Sequence, residues 1–299
     1  MKKTLLLVSF LFISTFAQNS GSTGLSFLKF GFGARNIAMG DAGNSVSNDI
    51  SALNYNPARL AVYNNSEITF MHNQWIQDTR SEALGVSTKI FGLPFALGLN
   101  VTSVNDIEVR TIASADPLSS FNAHYFSGSL STGFNVYQNI SFGATVKYLY
   151  EGMLSDEATG WAGDFGLNYI TPLEGLNLSC VVRNIGGMNV LRTEKTKLPG
   201  EFRIGGEYEF GLTSTKLNFT TAVEFLKYFE TDNSHINLGI EVLYDNLVAI
   251  RSGYQTGFEG KNFSAGFGLH WGIIKLDYAF VPFTDNLGSV NIISINFSI

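Results

Sequence analysis

Charged side chains of both signs occupy polar positions of alternating segments along the chain. Opposite charges that face one enclosed space predict ion pairs, whereas a row of one sign predicts an ion-selective path. We expect ion pairs, Lys147 with Asp164, Asp164 with Arg183 and Glu241 with Arg251, and we keep an ion-selective path as the alternative. The charged residues concerned are Lys147, Asp164, Arg183, Arg203, Glu207, Glu224, Glu241, Arg251, Lys275 and Asp277.

The other reactive residue types are too scattered to predict an enzyme. Gly31-Phe32-Gly33 lacks the third glycine of a dinucleotide-binding fingerprint, since Asn36 stands in its place. Cys180 is the single cysteine, so it forms no internal disulfide, and its apolar neighbours predict a lipid-facing position. No serine–histidine pair has a third residue in an obvious position to orient the histidine, as a catalytic triad requires. We predict no catalysis, metal or cofactor. The histidines, which lack metal-site spacing, are His72, His124, His235 and His270.

The composition suits strands that face lipid. Charged residues make up 15% of the chain, whereas soluble domains average about 25%. Phenylalanine, tyrosine and glycine are abundant, with 25, 12 and 31 residues respectively. The net charge of −6 leaves no basic face for nucleic acid, so we predict none as a partner.

Residues 1–17 have the pattern of a secretory leader. Lys2 and Lys3 precede the apolar residues 5–13, and Thr15 and Ala17 supply the small residues of a cleavage site before Gln18. The apolar stretch is shorter than the roughly 20 residues that span a bilayer. We therefore predict an exported chain whose leader is removed.

Period-two alternation covers residues 63–299 and predicts about fourteen antiparallel strands. Phe202, Ile204 and Tyr208, for example, alternate with Arg203 and Glu207. Turn signals at 244–246, 259–261 and 186–187 separate such segments. The alternation fits a soluble β-sandwich, with the apolar face as its core, or a membrane barrel, with the apolar face toward lipid.

The leader, the glycine-, serine- and asparagine-rich polar face and the aromatic residues near strand ends favour the barrel. We therefore predict an all-β, transmembrane outer-membrane β-barrel whose partners include outer-membrane lipids. The segment 293–299 ends in a strand, as barrel insertion signals do. The expected membrane-interface aromatics are Trp75, Tyr150, Trp161, Tyr169, Tyr244, Tyr254 and Trp271.

Residues 18–62 lack the period-two pattern. A disordered leader is one interpretation, but alanine, methionine, isoleucine and leucine are frequent enough to pack. We predict a small plug inside the lumen, with a short helix over 45–53 that ends at Asn56-Pro57. Arg35 and Asp41 are the expected partners of the wall charges.

The N-terminal segment resembles the signature of the PorV/PorQ family, within the wider group of FadL-like fourteen-stranded outer-membrane barrels. Further motifs follow at 78–80, 198–205, 238–241, 251–254 and 276–280. The signature residues are Gly33, Ala34, Arg35, Met39, Gly40, Asp49, Asn56, Pro57 and Ala58.

This resemblance implies a type IX secretion component that acts by binding secretion-system or cargo proteins. The alternative that the wider group implies is a passive channel for hydrophobic molecules, and a third hypothesis is a plugged structural barrel without transport. That alternative predicts an apolar pocket beside the plug and a lateral gap in the barrel wall.

Overall fold

The computed structural model describes residues 23–63, 65–113, 116–231 and 233–299. The predicted leader, its cleavage before Gln18 and the first five residues of the predicted plug lie outside this part of the chain.

Fourteen antiparallel strands form a closed barrel, in which β1 pairs with β16, Glu67 opposite Ser298. This confirms the predicted fold class and strand number. A two-stranded hairpin, β8 and β9, lies in the connection between β7 and β10. The strands are β1 (Glu67–Gln74), β2 (Thr79–Ile90), β3 (Leu93–Val109), β4 (Ser119–Tyr137), β5 (Ile140–Met153), β6 (Asp156–Ile170), β7 (Leu176–Met188), β8 (Val190–Leu191), β9 (Glu194–Lys195), β10 (Glu201–Leu212), β11 (Leu217–Tyr228), β12 (Ser234–Tyr244), β13 (Val248–Gln255), β14 (Phe263–Trp271), β15 (Ile274–Pro282) and β16 (Ser289–Ser298).

The apolar face of the wall points outward and the polar face points into the lumen. Leu130, Phe165 and Ile250 are exposed on the outside, whereas Ser131 and Asn168 are buried inside. A soluble sandwich would place the two faces the other way round. Closure pairs every strand on both sides, which is the arrangement that backbone polar groups require in lipid.

The two ends of the barrel differ in their connections. One end, the turn end, has the short connections 91–92, 138–139, 171–175, 213–216, 245–247 and 272–273. Asp245 and Asn246 there have φ of 49° and 57°, the left-handed backbone of a tight hairpin. The other end, the loop end, has most of the longer connections, including 110–118, 189–200 and 256–262. The turn predicted at 186–187 is wrong, because both glycines lie within β7 and pair with β6.

The N-terminal segment folds inside the barrel as a series of helices of only four or five residues each. They are Ser26–Lys29 (3-10), α1 (Ala34–Ala38), α2 (Gly43–Val46), α3 (Ala52–Tyr55) and Pro57–Ala61 (3-10). We call residues 23–62 the plug. Phe32, Ile37 and Leu53 of the plug share one apolar cluster with Ala83 and Ile292 of the wall. Within the described residues, no helix is both long and apolar enough to cross a membrane.

The single helix predicted over 45–53 is wrong, because α2 ends at Val46 and α3 begins at Ala52. The carbonyl oxygen of Val46 accepts a hydrogen bond from Arg35, and that of Ser47 accepts one from Arg59. These arginines take the carbonyl groups that a continuing helix would need. Asn56 is extended before Pro57, and its side chain accepts from the Ala58 amide, so α3 ends where proline predicts.

Glycine allows the plug backbone to touch the wall. Gly40 has φ of +69°, and a Cβ built there would lie 2.5 Å from the Leu238 carbonyl oxygen; a Cβ built on Gly253 would overlap the Gly40 amide. We expect Gly253→Ala to displace the plug, because the added methyl group would clash with backbone atoms, which cannot move aside as a side chain can. The displaced plug should expose Arg35 and Arg59 to trypsin.

Limited digestion of the folded protein, with fragments identified by mass, measures this exposure. Gly187→Ala is the control, because a Cβ there meets nothing within 4 Å. Equal cleavage of the two variants would contradict the expectation.

Candidate functional site

The ten charged residues singled out from the sequence all lie on strands with their side chains toward the lumen. Nine of them are buried, and Lys275 is partly exposed. All nine buried residues belong to ion pairs, in which both signs meet. Such a lining has no continuous row of one sign, so its geometry is that of a closed charge network and not of an ion-selective path.

Arg35 of α1 joins the plug to β12. Its Nε and Nη2 donate to the two carboxylate oxygens of Glu241 at 2.9 and 2.7 Å. Arg251 of β13 donates to the same carboxylate and also to Asp277 at 2.6 Å. Glu241 is therefore shared between one arginine of the plug and one of the wall. Such two-pronged contacts fix orientation as well as charge.

A second group of charges surrounds Tyr55 at the end of α3. The Tyr55 hydroxyl donates to Asp41 at 2.5 Å, and the guanidinium of Arg203 reaches Asp41 at 3.3 Å and Glu224 at 2.9 Å. Glu201 accepts from Arg203 and from Arg183. The Asn44 amide of the plug donates to Glu224. The plug thus contributes a carboxylate, a hydroxyl and a backbone amide to one buried network.

The third contact is the pair Arg59–Glu207, 2.7 Å apart, with both side chains 0% exposed. Arg59 also donates to the Ser47 carbonyl and to Asn168. It therefore connects two parts of the plug with β6 and β10. The remaining wall pair, Lys147–Asp164, is 2.7 Å long.

The predicted pairs Lys147–Asp164 and Glu241–Arg251 are present, but Asp164–Arg183 is absent. The pairing of β6 with β7 shifts between Gly163 and Phe165, and Asp164 accepts from the Asn184 amide instead. Arg183 lies opposite Glu201 on β10. The predicted set of lumen charges includes neither Glu201 nor Arg59. Glu201 lies two residues before Arg203, so the two side chains share one face of β10, and this spacing indicates a lumen position for Glu201.

The signature residues lie in the plug and contact the plug itself or the wall. The Ala34 amide donates to Ser294, and the Gly33 amide contacts the Met71 sulfur. Asn56 donates to Asn44 and to the Leu167 carbonyl. These contacts hold parts of the plug together and join the plug to the wall. The other signature residues are Arg35, Met39, Gly40, Asp49, Pro57 and Ala58.

A narrow cavity of about 30 Å³ lies between the plug and the wall of β3 and β4. The plug side is mainly apolar, whereas the wall side includes asparagine and serine. The cavity is too small for a benzene ring without movement, since an apolar cavity of about 150 Å³ holds one. Its lining residues include Phe27, Phe30, Phe32, Leu53, Leu99 and Ser127.

A groove of about 400 Å³ lies on the outer face of β16, β1, β2 and β3. Its walls are Phe70, Leu84, Leu99, Val101, Ile293 and Ile295, and the exposed pair His72–Glu82, 2.6 Å apart, lies beside them. Leu99 borders both the groove and the inner cavity. The pairing of β3 with β4 is unbroken from Phe95 to Val104, so the expected lateral gap is absent from the wall at this point.

A polar cavity of about 420 Å³ lies against the turn-end side of the plug. Its lining includes Arg35, Asn48, Glu174, Glu209 and Glu241. We call it the vestibule. The Arg35–Glu241 pair therefore separates this space from the plug interior.

Trp75, expected at the membrane interface, is instead turned toward the plug. Its ring stacks on Phe30 at 4.2 Å and meets Phe283 edge-on at 5.8 Å. Trp271 is 83% exposed on the outside, as an interface residue would be. In the part of the chain that the structure describes, no three histidine, cysteine or acidic side chains form a group that could hold a metal ion.

The profile of a family described as "Uncharacterised protein family (UPF0164)" matches residues 14–168, more than half of the chain. A search of curated proteins gives no match. The barrel is similar to the toluene transporter TbuX of Ralstonia pickettii, with a TM-score of 0.63 and 12% identity, over 90% of this chain and 98% of that chain.

The toluene transporter TodX of Pseudomonas putida gives a TM-score of 0.62 at 11% identity, over 90% and 99% of the two chains. The monoaromatic hydrocarbon channel CymD gives 0.60 at 12%, over 93% and 99%. At these identities the likeness shows a shared barrel fold. None of these comparisons supports the PorV/PorQ assignment or a role in type IX secretion.

Proposed function

We propose that this chain, a member of the uncharacterised protein family UPF0164, is an outer-membrane channel through which small hydrophobic molecules diffuse passively. The observation that carries the proposal is the cavity between the mainly apolar side of the plug and strands β3 and β4, where Leu99 also borders the outer groove. Proteins named as toluene transporters and as a monoaromatic hydrocarbon channel share the fold. In this proposal the protein acts without catalysis.

The cavity and the groove suggest a route for the solute. A hydrophobic molecule would enter at the loop end and displace the plug side chains Phe30 and Leu53. Because β3 and β4 pair without a break beside Leu99, its exit toward lipid would require these two strands to separate. Apolar side chains suit this path because the transfer of a neutral solute from water to an apolar surface lowers its free energy. The small volume of the cavity means that the plug must move for each passage.

Filling the cavity from the wall is expected to stop passage. Ser127 lines the cavity from β4, so Ser127→Trp should lower toluene uptake by cells that express the protein to the rate of cells without it. Leu130→Trp, on the outer face of the same strand, is the control and should leave uptake unchanged.

Uptake of radiolabelled toluene at low external concentration measures this effect, and gel migration of the unheated barrel checks that each variant folds. Wild-type uptake no faster than that of cells without the protein would overturn the proposed function. Binding to type IX secretion proteins has only the sequence resemblance in its favour; a pull-down without such proteins would count against it.

A further inference from the structure

Two lysines meet an aromatic cluster where the plug reaches the loop end. The ammonium of Lys29, at the end of the Ser26–Lys29 helix, lies 4.9 Å from the centre of the Tyr228 ring. The ammonium of Lys261, in the 256–262 connection, lies 5.4 Å from the Trp75 ring and 4.9 Å from the Phe258 ring. Both cations therefore face aromatic rings, whose faces attract positive charge.

Neither ammonium has a carboxylate oxygen within 4 Å among residues 23–63, 65–113, 116–231 and 233–299, unlike the buried Lys147, which pairs with Asp164 at 2.7 Å. The acidic groups that act on them at longer range are Glu201 on Lys29 and Asp41 on Lys261. Arg203 already contacts both of these carboxylates.

Burial lowers the pKa of Lys29 and of Lys261, and the positive charges of Arg203 and Lys29 act in the same direction on Lys261. The site thus holds positive charge without a matching negative charge nearby. A partly buried cation gains from an anion that replaces its lost hydration.

The aromatic surface continues from the lysines to the cavity. Trp75, which faces Lys261, stacks on Phe30, and Phe30 lines the cavity beside the plug. On the other side of Lys261, Phe258 stacks on His235 at 3.8 Å, and His235 meets Tyr228 edge-on. A ring that takes the place of one of these stacked rings meets a flat aromatic face, while its substituent meets the ammonium groups.

We infer that Lys29 and Lys261, with Trp75, Phe30 and Phe258, form a binding site for hydrophobic molecules that carry one negative charge, namely aromatic carboxylates. The inference deepens the proposed function, on which it rests, by naming a substrate class that differs from neutral hydrocarbons. The carboxylate accepts hydrogen bonds from the lysines, and the ring packs on Phe30 and Trp75. A neutral hydrocarbon would leave both ammonium groups with their aromatic neighbours but without an anion.

Binding can be measured on the purified full chain through the fluorescence of Trp75, in a background with Trp161→Phe and Trp271→Phe. Benzoate is expected to change the signal saturably, whereas benzyl alcohol, of similar size and neutral, and acetate, without a ring, should bind far more weakly. Lys261→Gln and Lys29→Gln should each weaken benzoate binding about tenfold, as loss of a charged hydrogen bond does.

The control variant is Lys195→Gln, an exposed lysine of β9 at the same end of the barrel, and it should bind benzoate as the wild type does. Because the lysine pKa values are lowered, benzoate binding should decline with rising pH before an ordinary lysine would lose its charge. Equal affinity for benzoate and benzyl alcohol, or benzoate affinity unchanged in Lys261→Gln, would overturn the inference.

The outcome separates the inference from the proposed function. Normal toluene uptake by both lysine variants, together with lysine-independent benzoate binding, would remove the inference and leave the channel proposal standing. Lysine-dependent benzoate binding by a protein that lets neither toluene nor benzoate into cells would remove the channel and leave the binding site.

Discussion

Arg59→Met is expected to lower the free energy of unfolding by about 3–5 kcal/mol, the usual cost of removing one partner of a buried ion pair. The substitution leaves Glu207 charged in a place where its side chain is 0% exposed. It also removes the donors to the Ser47 carbonyl and to Asn168. Methionine fills much of the volume, so the loss reports the charge and hydrogen bonds more than a cavity.

Urea unfolding of the detergent-solubilised protein, followed by tryptophan fluorescence, gives the change in midpoint. Lys216→Met is the matched control, because its pair with Asp245 is exposed at the turn end. Water and salt screen an exposed pair, so this substitution should leave the midpoint almost unchanged. The double variant Arg59→Met/Glu207→Met should recover much of the loss, since no unpaired charge remains. An Arg59→Met midpoint equal to that of Lys216→Met would refute the expectation.

Glu241→Gln is expected to make the barrel leak ions. The substitution removes the charge that holds Arg35 of the plug, while Arg251 keeps its contact with Asp277 on the wall. Each 1.4 kcal/mol lost from the plug contact raises the displaced population about tenfold. Loss of a charge-assisted, two-pronged contact of about 1.5–3 kcal/mol therefore predicts a rise of about ten- to a hundredfold.

Conductance of single proteins in planar bilayers measures this leak as the fraction of time spent open. Glu174→Gln is the control, because Glu174 lines the same vestibule but forms no ion pair with the part of the chain that the structure describes. Deletion of residues 23–62 gives the upper limit of conductance. A Glu241→Gln protein as quiet as Glu174→Gln would show that the Arg35–Glu241 pair does not hold the plug.

These two predictions share one physical cause. Among the described residues, three ion pairs cross the plug–wall boundary, namely Arg35–Glu241, Arg59–Glu207 and Asp41–Arg203, and these hold the plug. The remaining ion pairs of the lumen join wall residues to each other. When a solute passes, the plug must either break some of these plug–wall contacts or change its conformation while they remain in place. The wall residues of these plug–wall pairs lie on β10 and β12, so the cavity at β3 and β4, whose plug side is mainly apolar, is free of such pairs.

Alternation and charge position were readable from the sequence where strands pair in regular register. Glu241 lies directly opposite Arg251 on adjacent strands, so their pairing follows from the hairpin alone. The Asp164–Arg183 expectation failed at a shift of register, which no local pattern marks. Arg59 and Glu207 are 148 residues apart, and nothing in the spacing of either points to the other.

The sequence by itself determined a closed antiparallel barrel with its apolar face outward. A period of two places every second side chain on one face, and in lipid an unpaired strand edge is too costly to remain open. It also determined that the lumen would carry charges of both signs. Only the tertiary structure decided which charges meet, that Trp75 turns toward the plug, and that Lys29 and Lys261 share an aromatic cluster. Those contacts depend on how the irregular plug is seated, and that seating arises from packing between residues far apart in the chain.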